Sequence, residues 1–253
     1  MTMVRVSFGP LHQAVFLARP NRFLLRCALV ENGEVIEAHL ADPGRLRELL
    51  FPGAPLWLSQ SRNPNRRTQW SAVLAQDPES KCLVSLQSVL VNSLVGKALA
   101  AHALPEFDQW ELVRGEYAHS SSRWDFLLQR ADGRRLLLEV KSVTLVHNHR
   151  ALFPDAVTAR GRRHVLELAS LQQEGEFETA VLFVAQRADA RWFGPADHID
   201  PAFAKALRCA HAQGVRVFAR GCRVDLAGIS LGDPLTVCLA EEEDYDAGCV
   251  SPD

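Results

Sequence analysis

The stretch RWDFLLQRADGRRLLLEVKSVTLV, residues 123–146, decides the reading of this chain. It divides into two strand-like runs, RWDFLLQR and RLLLEVKSVTLV, joined by the turn Ala131-Asp132-Gly133-Arg134. Successive side chains on a strand point to opposite faces, so Glu139 and Lys141 share one face and Val140 takes the other. Pairing between the two runs would bring Asp125 beside them. Two carboxylates and an ammonium at a sheet edge suit a hard divalent cation, a water and a phosphodiester. An E-x-K pair is common on strands, and the alternative is an exposed sheet face with a simple Glu–Lys pair. On the residues alone the two readings weigh equally.

Working outward, the residues before this stretch read as β and those after it as mixed α/β. Residues 11–85 read as short β segments separated by turns: AVFLARP, RFLLRCALVENGEVIEAHL, APLWLSQS and QWSAVLAQ. Asn32-Gly33 is a hairpin signal, and a short helix is expected at 45–50. Several short strands in so few residues suggest a small OB-like barrel. From residue 89, VLVNSLVGKALAAHAL has helical spacing and ends before Pro105. Strand patterns follow in WELVRGEYAH and in the two opening runs. After a polar stretch comes a helix in HVLELASLQQEG, closed by Gly175. ETAVLFVAQ reads as a buried strand, PAFAKALRCAHAQG as a helix and VRVFARGCRVDL as a final strand. The order α-β-β-β-α-β-α-β predicts a mixed α/β domain whose sheet begins as a meander. The expected division is 1–86 for the barrel, 87–240 for the α/β domain and 241–253 for a disordered acidic tail.

The formal charge of −2 hides an asymmetry. Residues 241–253 carry six acids and no Lys or Arg, which leaves 24 acids against 28 bases elsewhere. A mildly basic body permits nucleic acid as a partner. No run approaches the roughly 18–20 apolar residues of a membrane span, and no signal peptide is apparent. A cytoplasmic location with no membrane partner is therefore expected. The six cysteines are scattered with no C-x-x-C, which argues against a zinc site and a disulfide framework. A homodimer is compatible with all of this.

Other residues offer phosphate contacts. Arg62, Arg66 and Arg67 in SRNPNRR form a basic loop able to track a phosphate backbone; a solvated loop is the equal alternative. In FPDAVTARGRRH, Asp155 suits an N-cap or turn position before a helix. A helix N-terminus with Thr158, Arg160 and Arg163 nearby would form an anion site, and His164 would share a face with Arg160. Capping plus a solvated basic helix end explains the same residues equally well. Glu116 offers a further carboxylate for the metal, with Arg114 on the same face as its expected ion-pair partner.

Taken together, RPNRFL, HLADPGRL, LVNSLVGKAL, SRWDFLLQ, LLLEVKSVTL and ALFPDAVTARGRRHVLEL resemble the sugar fermentation stimulation protein A family of bacteria and archaea. The likeness covers most of the chain. It implies an N-terminal OB-like domain, a C-terminal domain similar to PD-(D/E)XK nucleases, and DNA binding with a regulatory link to sugar metabolism. It matches Asp125, Glu139 and Lys141 to the family's nuclease-like site, with Mg²⁺ or Mn²⁺ as cofactor. Asp155, Thr158, Arg160, Gly161 and His164 match its second motif. Two positions depart from the family pattern: Arg114 stands where a first-strand Glu is expected, and Asp42 stands in place of Asn. The rival reading is a non-catalytic DNA-binding regulator on the same scaffold.

Overall fold

The computed structural model describes residues 4–240; the expected acidic tail at 241–253 lies outside them. An N-terminal strand, β1 (Arg5–Ser7), precedes the barrel strands β2 (His12–Asn21), β3 (Leu24–Leu29), β4 (Val35–His39), β5 (Pro55–Gln60) and β6 (Trp70–Gln76). Their order is β4-β3-β2-β5-β6, and parallel pairing of Ala38 with Trp70 and His39 with Ser71 closes the ring. The result is a five-stranded OB barrel, with β7 (Leu83–Ser85) added along β6. Strict alternation drives it. Leu25, Cys27 and Leu29 are buried while Arg26 faces out, and Leu56 and Leu58 meet them from β5. The β3–β4 hairpin turns at Asn32-Gly33 as expected, with Gly33 at φ 73°.

The second unit is a seven-stranded sheet of PD-(D/E)XK nuclease-like type, ordered β1-β16-β15-β13-β10-β9-β8. Its strands are β8 (Glu111–His119), β9 (Ser122–Gln129), β10 (Arg135–Val143), β13 (Glu178–Ala185), β15 (Arg216–Asp225) and β16 (Gly228–Pro234), together with β1. The β10, β13 and β15 strands run parallel, and β8–β9–β10 is the expected meander. Leu136, Leu138 and Val140 point to α1 (Ser88–Ala100) on one face. Leu137 and Val143 point to α2 (Ala159–Glu174) and α3 (Pro201–Ala212) on the other. Gly175 closes α2 in the left-handed conformation.

Several expectations need correction. Residues 5–7, expected with the barrel, pair with β16 at the edge of the nuclease-like sheet; so short a strand is legible only through its distant partner. The helix expected at 45–50 is a turn, with Leu46 at φ 51°. The second helix starts at Ala159 rather than near His164. A small four-stranded sheet was not foreseen: β11 (Val146–His147), β12 (Arg150–Phe153), β14 (Trp192–Pro195) and β17 (Thr236–Val237). Its strands are two to four residues long, too short for periodicity to register. Cys27 and Cys222 are buried thiols, and Cys238 is disulfide-bonded, which the scattered spacing did not suggest.

The two units are joined by polar contacts. Arg187, 1% exposed, donates to Asp77 beside the barrel at 2.9 Å and to Asp189 at 2.6 Å. From the α/β side, Asp155 accepts the Arg45 N–H at 2.7 Å. Next to it, Asp42 is 6% exposed and accepts the Gly44 N–H at 2.7 Å. Burial pushes the Asp42 carboxyl up to about 6, with the negative charge of Asp155 adding to the effect. A carboxyl raised on folding destabilises when ionised, and that cost vanishes as pH falls through 6 toward its ordinary value. Asp42→Asn keeps the acceptor oxygen and removes the charge. It should stabilise the protein by roughly 2 kcal/mol at pH 7.5 and by nothing near pH 4. Urea unfolding at both pH values checks this; equal effects at the two would contradict it.

Candidate active site

The ladder between β9 and β10 ends at Phe126 opposite Leu138. Beyond that pair the Asp125 side chain takes over, accepting the Val140 N–H at 2.7 Å through Oδ2. Asn92, on the second turn of α1, donates to its Oδ1 at 2.5 Å. A carboxylate thus replaces a strand where the sheet opens. One position back on β10, Glu139 is 4% exposed and faces α2. Its Oε1 is bonded by Lys141 Nζ at 2.5 Å and by His164 Nδ1 at 2.8 Å.

The charges are coupled. Burial, together with the neighbouring Glu139 charge, raises the Asp125 carboxyl to about 6, against the opposing pull of the Val140 N–H and the Lys141 ammonium. Burial also pushes Glu139 up, but the His164 hydrogen bond and Lys141 outweigh it and hold this carboxyl below its ordinary value. The pair therefore carries a surplus of negative charge in a half-closed site. A hard dication would offset that charge, and oxygen donors of this kind suit such an ion.

The sequence-predicted residues divide sharply. Asp125, Glu139 and Lys141 are brought together. Glu116 lies across from Asp125 in the β8–β9 register, but it is exposed, sits at φ 53°, and pairs with Arg123 at 3.1 Å rather than with Arg114. It does not join the two carboxylates, and no cluster of three metal-binding side chains forms among the described residues. His164, expected to face phosphate beside Arg160, is buried behind Glu139 with its ring edge-on to Trp124. On α2 His164 lies on the same stripe as Leu168 and Leu171, four and seven residues on, which is the face the helix buries. Thr158, not Asp155, caps α2, its hydroxyl accepting the Gly161 N–H at 3.0 Å. Arg160 is exposed at that end, and Arg163 pairs loosely with Glu167 at 3.8 Å. Arg62, Arg66 and Arg67 lie on the β5–β6 loop, where Arg66 donates to Ser71 at 3.0 Å. Asn92 was missed. Its signal was a lone amide in the apolar run VLVNSLV, a polar group that a buried helix face tolerates only with a partner.

A closed OB barrel followed by a nuclease-like sheet, with paired carboxylates and a lysine where two strands part, defines a two-domain class of nuclease-like proteins. The model of the SfsA N-terminal OB domain matches residues 17–86, and that of the sugar fermentation stimulation protein RE domain matches residues 89–228. The chain belongs to the sugar fermentation stimulation protein family. It is 43% identical to a homolog from Shouchella clausii, covering 91% of this chain and 98% of that protein. It is 44% identical to one from Moorella thermoacetica, covering 90% and 96%. Among solved structures, Pyrococcus furiosus SfsA in complex with Ca²⁺ superposes with a TM-score of 0.83 at 25% identity, covering 94% of this chain and 99% of that one. No helix of the described residues is long and apolar enough to cross a membrane.

Proposed function

We propose that this chain is a nucleic-acid-binding, metal-dependent phosphodiesterase whose site is Asp125, Glu139 and Lys141, working in the cytoplasm, with DNA as the first substrate to test. The observation that carries this reading is the convergence of the buried Glu139 and half-buried Asp125 carboxylates with the Lys141 ammonium where β9 leaves β10. Asp125 and Glu139 would hold Mg²⁺ or Mn²⁺, which supplies stabilisation of charge on phosphate oxygens and acidifies a bound water. The relative seen with Ca²⁺ supports a divalent cation in this fold. Asn92 and the Val140 N–H fix Asp125, and His164 fixes Glu139. Lys141 orients the attacking water and offsets charge building on the phosphate. Arg160 and the N-terminal end of α2 serve as phosphate contacts.

Plasmid nicking in Mg²⁺ or Mn²⁺ tests the reading. Wild type should cleave, and Lys141→Ala should not, while retaining DNA affinity. Equal cleavage by both would overturn the assignment of Lys141. The position of Glu116, outside the carboxylate pair, favours one alternative: a DNA-binding regulator that keeps the scaffold without hydrolysis. That reading requires no cleavage with either metal and a steep loss of affinity with salt.

A further inference from the structure

The barrel carries a surface that the hydrolytic reading does not use. At the β2–β3 turn, Phe23 leaves 49% of its surface exposed. Its backbone is pinned: the N–H donates to Asn21 Oδ1 at 2.9 Å, and the carbonyl accepts from the Leu40 N–H at 3.0 Å. The Arg19 guanidinium donates to the carbonyls of Arg22, Gly44 and Arg45 at 2.8, 2.7 and 2.6 Å. The β2–β3 turn and the 44–45 loop are thereby held as one unit. Arg22 and Arg45 are exposed on it, and among the described residues no carboxylate pairs with either guanidinium. The nearby acids are already engaged, Asp42 by the Gly44 N–H and Asp155 by the Arg45 N–H.

This unit adjoins the candidate active site. The Ala41 carbonyl, one residue beyond Leu40, accepts from Ser88 Oγ at 3.4 Å. Ser88 is one helical turn before Asn92, which holds Asp125. A rigid, half-exposed aromatic ring beside two unpaired guanidinium groups suits an unpaired base and its phosphates. Bases inside a duplex are stacked on one another and offer the ring no free face. We propose that this surface binds a single-stranded segment of nucleic acid, with a base stacked on Phe23 and phosphates on Arg22 and Arg45, and leads it to Asp125, Glu139 and Lys141. The delivery step rests on the hydrolytic reading above; the binding step does not.

The test measures fluorescence anisotropy with a labelled single-stranded DNA of about 12 nucleotides and the same sequence as a blunt duplex. EDTA is present, so binding is read apart from cleavage. Wild type should prefer the single strand. Phe23→Ala should weaken that complex roughly tenfold, Phe23→Trp should retain it, and duplex affinity should change little. The double replacement of Arg22 and Arg45 by Ala should lower the salt slope for the single strand by about 1.4. Unchanged single-strand affinity in Phe23→Ala, or an equal loss on both DNAs, would overturn the proposal. Unfolding midpoints equal to wild type confirm that these exposed replacements leave the fold intact. If the predicted binding pattern holds but wild type never cleaves, the hydrolytic reading falls and this surface stands. If wild type cleaves and Phe23→Ala binds normally, the reverse is true.

Discussion

Glu139→Gln is expected to reduce metal-dependent cleavage by roughly a thousandfold while leaving the protein folded. Glu139 sits at the centre of the site, its Oε1 taking both Lys141 Nζ and His164 Nδ1. Gln keeps an acceptor oxygen of the same size in the same place, so the geometry has reason to survive. It removes the negative charge, leaving only Asp125 to hold a dication and the Lys141 ammonium without its counter-charge. His164→Asn should act more mildly, because the carboxylate remains but loses its fixed orientation. Losses of about 10–100-fold in metal affinity are typical when a supporting hydrogen bond is removed. Cleavage rates and Mn²⁺ calorimetry check both variants, with circular dichroism as the folding control. Full activity in Glu139→Gln would remove Glu139 from the site.

The second large effect concerns the join between the units. Arg187→Met should destabilise the protein by about 3 kcal/mol or more. The guanidinium is buried and donates to Asp77, Asp189 and the Thr144 carbonyl. Removing it strands two carboxylates and frees the segment around Asp77 from the α/β unit. Burial pushes both carboxyls up, but main-chain N–H groups and Arg187 outweigh it and hold Asp77 and Asp189 below their ordinary value. A depressed folded-state pKa contributes stability that is full above the unfolded value and is lost as pH falls through the folded one. The gap between wild type and variant should therefore be complete at pH 7 and shrink below about pH 4. Urea unfolding across that range checks the sign; a gap that widens in acid would contradict it.

The sequence made the barrel and the meander legible because their information is local. Alternation in RCAL and APLWLSQS, the Asn32-Gly33 turn, and helical spacing from residue 89 each report one element without its neighbours. The Asp125, Glu139 and Lys141 trio was legible for the same reason, being carried on adjacent strands joined by a short turn. What escaped depends on distant partners. Residues 5–7 form a strand only because β16 is there to pair with. Asp155 follows no helix-capping rule because its acceptor serves a barrel loop 110 positions away. His164 was assigned to an exposed face by its four-residue spacing from Arg160, whereas its spacing to Leu168 and Leu171 puts it on the face α2 buries. Asn92 was passed over because its partner, Asp125, lies 33 positions further on.

Asp125 and Glu139 are expected to hold a divalent cation between them, and a crystal soaked in millimolar Mn²⁺ tests this most directly. The expected result is an anomalous peak within about 2.0–2.6 Å of an oxygen of each carboxylate, absent in Asp125→Ala. A well-ordered wild-type site with no peak, or a peak bound only by other residues, would contradict it.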